Sequence, residues 1–96
     1  MLTLQKQTQL DHLVRRMHDS IMYFSYAKMS DNGQPRNAYG TLDQELIAFH
    51  GGTPNGNGQG YVRTPNPETV QYFDLEKMAW RSFRKDSFLN ILEDSV

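Results

Sequence analysis

Residues 72–92, YFDLEKMAWRSFRKDSFLNIL, constrain the fold more tightly than any other stretch of the chain. Three short runs rich in aromatic and β-forming residues, ending in FLNIL, are cut by the polar spacers LEKM and KDS. Runs this short fall below ordinary helix length, and spacers of this size join strands as antiparallel hairpins. The same pattern occurs earlier. IMYFSYAKM leads into SDNGQP, where Asn32-Gly33 suits a tight hairpin, and RNAYGTL completes it. Gly40 inside that second run predicts a bulge or a close backbone approach.

Alternation then assigns faces. Val70, Tyr72 and Asp74 share one side of their strand, with Gln71 and Phe73 on the other. In the next strand Trp80, Ser82 and Arg84 oppose Arg81 and Phe83. Both sides carry rings, so one core cannot take them all. Phe83 is expected inside with Phe88 and Ile91, and Trp80 outside, beneath a helix. That helix is N-terminal, at about residues 4–19: Leu10, Leu13, Val14, Met17 and Ile21 form an apolar stripe. Thr8 with Asp11 gives one N-terminal capping signal, and Thr3 would cap a longer helix. DQELIAFH reads as either a brief strand or a single helical turn. Residues 51–68 hold five of the seven glycines and three of the four prolines and read as a long loop.

The expected fold is therefore mainly β with one N-terminal helix, a small SH3-like antiparallel β-barrel of about five strands. The strands are placed at about 21–29, 35–42, 69–74, 79–84 and 88–92, in a single domain spanning 1–96. No apolar run approaches the ~20 residues a membrane helix requires. The N-terminus carries no hydrophobic stretch of signal-peptide length, and there are no cysteines. These features predict a cytoplasmic protein. A formal net charge of −1 argues against binding duplex nucleic acid through phosphates alone.

Catalytic chemistry is not indicated. His12, His18 and His50 lack metal-ligand spacing, and Asp43 and Glu45, though able to share a strand face, have nothing nearby to raise a pKa. GNGQG lacks the Lys-Ser/Thr of a phosphate-binding loop. No enzyme, metal or cofactor is expected.

The ordered elements I-x-Y-F-S-Y, DNGQPRNAYGTL and YFDLEKMAWRSFR…FLNI resemble a family of small bacterial and phage SH3-like β-barrel domains of unknown function. The likeness covers roughly residues 10–92 and is weakest in the glycine-rich loop. More distantly, Asp74, Trp80, Arg81, Phe83 and Arg84 resemble the closing hairpin of WYL domains, which have an Sm-like barrel of the SH3 type. The triplet that names that family is replaced here by Glu68-Thr69-Val70. The resemblance implies a regulatory module, with a phage or mobile element as one source. It also implies a nucleotide or nucleic-acid ligand held by basic residues, a role only Arg81 and Arg84 could inherit.

Two functions follow. The first is a protein-interaction or regulatory module that binds a protein partner or a second copy of itself, with no membrane role. The alternative is a binder of nucleotide or single-stranded nucleic acid. It would use Arg81, Arg84 and Arg63, with Tyr61 or Tyr39 stacking on bases. The competing structural role for Arg81 and Arg84 is a cross-strand ion pair with Asp74 or Glu76.

Overall fold

The computed structural model describes residues 3–28, 32–52 and 67–96. Thr3 opens the first helix, α1 (Leu4–Met17), its hydroxyl oxygen accepting from the Lys6 N–H at 3.1 Å. Thr8, the other capping candidate, lies inside the helix and donates to the Leu4 carbonyl one turn back, 3.0 Å away. Leu10, Leu13 and Met17 are fully buried. Ile21 lies past the helix end, so the buried stripe closes at Met17. The Met17 carbonyl accepts from the Leu42 N–H at 2.7 Å, and the Thr41 hydroxyl donates to it at 3.1 Å. These bonds satisfy a helix-end carbonyl and fix α1 to the strand region beside it.

The five strands are β1 (Met22–Lys28), β2 (Gln34–Thr41), β3 (Thr69–Asp74), β4 (Ala79–Arg84) and β5 (Phe88–Glu93). They form one antiparallel sheet in the order β4-β3-β2-β1-β5. With two helices added, the chain is mainly β and has the architecture of a small SH3-like barrel. The ambiguous DQELIAFH resolves as a helix, α2 (Gln44–Phe49). Asp43 caps it, Oδ1 accepting from the N–H groups of Glu45 (2.9 Å) and Leu46 (3.2 Å). Asp43 and Glu45 therefore share no strand face.

Asn32 and Gly33 both adopt positive φ, 55° and 75°. Lys28 pairs with Gln34, however, so the two residues end a longer connection instead of forming a two-residue turn. At Gly40 the close-approach alternative is the one found. A Cβ there would lie 2.6 Å from Tyr72 Cδ2 and 2.9 Å from Phe24 Cε1. The register irregularities sit elsewhere, between β1 and β5.

Strand parity sorts the rings. Met22, Phe24, Tyr26, Ala38, Val70, Tyr72, Phe83 and Phe88 turn inward to meet Leu10, Leu13 and Met17, and Ile91 packs against them. Phe83 stacks on Tyr26 with centroids 4.7 Å apart, while Phe24 meets Tyr72 edge-on at 5.2 Å. Phe73 and Trp80 are a cross-strand pair on the opposite face, in edge contact at 5.7 Å. Phe73 is nevertheless buried, because Ile47 of α2 and Phe73 converge on Gly52. There a Cβ would lie only 2.4 Å from Phe73 Cζ. Thus β3 is covered on both faces, which explains how its adjacent residues Tyr72 and Phe73 both escape water.

Candidate functional site

Inner-face residues alternate along β1 and β2, so Tyr26 stands directly opposite Arg36, and Lys28 opposite Gln34. On β4 the same face carries Arg81, opposite Tyr72, and Phe83, opposite Val70. Of these, Tyr26, Lys28, Arg36, Arg81 and Phe83 converge on a cleft of about 530 Å³. One wall is Tyr26, Ala27, Lys28 and Arg36. The other is the unbroken run Trp80, Arg81, Ser82, Phe83 and Arg84. Consecutive strand residues leave opposite faces, so a cleft touching all five runs along the length of β4. Thr69 of β3, the partner of Arg84, and Ser87 complete its lining. β4 is the outermost strand on its side of the sheet among the described residues. Across the gap, β5 pairs with β1 only as far as Tyr26. The cleft is therefore a slot in the barrel wall between β4 and the end of β1.

Its charge is organised around Asp74, whose side chain has no exposed surface. One carboxylate oxygen, Oδ2, takes a charged hydrogen bond from the Arg36 guanidinium and lies 3.8 Å from Arg81 Nε. The other, Oδ1, accepts from the backbone N–H groups of Glu76 (2.9 Å) and Lys77 (3.0 Å), which fixes the β3–β4 turn. One carboxylate thus orients both a hairpin turn and two arginines. Nearby, the Tyr26 and Tyr72 hydroxyls are 2.9 Å apart. Burial, reinforced by that hydrogen bond, pushes the Tyr72 phenol far above its ordinary range, so it remains a neutral hydroxyl.

Arg84 lies on the other face of β4 and pairs with Asp86, Nε to Oδ1 at 3.2 Å and Nη2 to Oδ2 at 3.4 Å. The hydrogen bond from Arg84 holds the Asp86 carboxyl below its usual range. Lys28, Arg36, Arg81 and Arg84 set four positive charges on the slot. Asp74, Asp86 and Glu68, whose charge also reaches Arg84, supply three negative ones. The slot is locally cationic in a chain of net charge −1.

Arg81 and Arg84 are thus brought to one cleft from opposite faces of a strand, each beside a carboxylate. The Arg81–Asp74 pairing considered from the sequence is present, and Arg84 adds a second pair with Asp86. Tyr39 is elsewhere: it stacks on Tyr23 on the sheet's other face, with centroids 4.3 Å apart. Tyr39 lies in register opposite Tyr23 and on the face away from Ala38, which removes it from the slot. Tyr61 and Arg63 lie outside the described residues. Lys28 and Arg36 were not anticipated. Counting by twos from Gly40 through Ala38 would have placed Arg36 on the inner face.

A larger open cleft of about 920 Å³ separates α1 from β3 and β4, with Leu10, Val14, Leu42 and Trp80 among its lining residues. Trp80, outside the aromatic core as expected, lines this cleft together with Leu10 and Val14 of α1. Among the described residues no group of His, Asp or Glu is arranged to hold a metal. His12 instead contacts Asp94 at 2.7 Å. No described helix is long and apolar enough to cross a membrane.

A family model described as WYL_2, Sm-like SH3 β-barrel fold, matches residues 10–89. No curated protein and no solved structure matches the chain.

Proposed function

Since the chain belongs to the WYL_2 family of Sm-like SH3 β-barrels, we propose that it is a non-catalytic interaction module that recognises an anionic segment of a protein partner. The observation that carries this reading is the locally cationic slot along the outermost strand β4. Guanidinium groups present planar forks of donors to carboxylates. Arg81 and Arg84 are 42% and 55% exposed, so a ligand can reach both. The Arg84–Asp86 pair is a weak barrier, because both partners are exposed and such pairs are worth little in water. Arg81 lies beside the buried Asp74, and its exposed guanidinium keeps further N–H groups for a ligand. A module of this kind is regulatory, its output set by what occupies the slot.

The second reading, a nucleotide or single-stranded nucleic acid in the same slot, is favoured by the half-buried Trp80 indole beside the arginines. Bases stack on such rings. Tyr39 has no part in it, being on the other face. Calorimetric titration of the wild-type domain and of Arg84→Glu with an acidic decapeptide and with a ten-nucleotide oligothymidylate separates the readings. The protein-binding reading expects the peptide to bind more tightly than the oligonucleotide, and charge reversal to weaken it at least tenfold. Binding of the oligonucleotide alone selects the second reading, and binding of neither removes both.

A further inference from the structure

The slot's shape specifies the conformation its ligand must have. We infer that an extended acidic peptide adds to β4 as a sixth strand, with its acidic residues three positions apart. This deepens the interaction-module reading and rests on it.

Three observations converge. First, β4 has a strand neighbour on one side only among the described residues, and Ser82, Phe83 and Arg84 in succession line the cleft. An outer strand presents backbone N–H and C=O groups that an added strand can pair. Second, the two arginines flank that edge from opposite faces, Arg81 on the inner and Arg84 on the outer. A ligand strand also alternates its side chains, so only residues an odd number apart meet both. The separation of Arg81 and Arg84 makes that number three. Third, Phe83 lies between them on the inner face with its ring buried. The ligand residue opposite Phe83 is therefore small or apolar, while the one opposite exposed Ser82 is unconstrained.

The charges decide which strand is accepted. Cationic side chains on an edge discourage indiscriminate pairing, and here they select an acidic strand. Arg84 uses Nε and Nη2 for Asp86. A guanidinium carries five N–H groups, so a second carboxylate can join without displacing the first. Lys28 and Arg36 on the opposite wall add to the attraction.

The test uses the intact chain and peptides of one composition. The first peptide carries two glutamates three apart, with a valine beside the first. A second has the glutamates two apart, so both leave one face. Two further peptides repeat the first with N-methyl groups on one or the other alternate set of backbone amides. Fluorescence anisotropy should show the second peptide about tenfold weaker, the worth of one charge-assisted hydrogen bond. One N-methylated peptide should lose binding and the other keep it, because only alternate amides face β4. Equal binding by both methylated peptides would overturn strand addition and leave anion recognition standing. So would equal binding by the two spacings. If no acidic peptide binds, both readings fall together, and light scattering that reveals a dimer would then assign the edge to a second copy.

Discussion

At the residue scale, Asp74 has no exposed surface and holds Arg36, the neighbouring Arg81 and two turn N–H groups at once. Arg36 is only 14% exposed, so removing the carboxylate strands a nearly buried cation. Asp74→Ala is expected to destabilise the domain by about 3–5 kcal/mol in urea denaturation; a loss under 1 kcal/mol would mean that water reaches Arg36. Phe83 packs against Tyr26, Phe24, Tyr72 and Phe88. Phe83→Ala should cost about 3–5 kcal/mol, cavity included, and a near-neutral result contradicts its place in the core. Asp94 is the residue of pH interest. Its hydrogen bond with His12, aided by Arg16, lowers its pKa in the folded chain. A carboxyl so lowered contributes stability above its unfolded pKa and loses it as pH falls through the folded value. The link between the C-terminal residues and α1 should therefore hold at neutral pH and weaken only in acid. Proton NMR of His12 and carbon NMR of the Asp94 carboxyl would follow this.

At the scale of elements, spacing and turn chemistry made the strands legible, and α1 was legible from its stripe. What the sequence left open was decided by neighbours. Thr3 and Thr8 carry the same hydroxyl. Thr3 caps because it precedes the first turn, whereas Thr8 has a helical carbonyl within reach. DQELIAFH was ambiguous because its few apolar residues fit either period. Asp43 as a cap and Phe73 as a surface to cover settle it as helix. The pairing of Arg84 with Asp86 was invisible from strand parity, since Asp86 lies in the 3-10 turn Lys85–Ser87 that follows β4. Arg36 was missed because a lone arginine in a strand reads as solvated until its register partner is known. Gly40 offers the sharpest test at this scale. A methyl group there meets two rings below 3.0 Å. Gly40→Ala should cost about 1–3 kcal/mol through overpacking, measured as a lower denaturation midpoint. An unchanged midpoint would show that the rings of Tyr72 and Phe24 give way.

At the scale of the whole molecule, a strongly bent five-stranded sheet has two outer strands, and this one leaves a slot between β4 and the end of β1. The hydrophobic residues account for the barrel, and the cations near the slot are the groups that the proposed acidic peptide would meet. A core residue and the arginines of the proposed peptide site are interleaved on β4, where Phe83 turns inward between Arg81 and Arg84. The most direct measurement is an amide chemical-shift map of the nitrogen-15-labelled domain during titration with the acidic peptide whose glutamates are three apart. Shifts concentrated at Lys28, Arg36 and Ser82 through Arg84 are the predicted result. Shifts confined to the Tyr23–Tyr39 face, or spread evenly over the barrel, would contradict it.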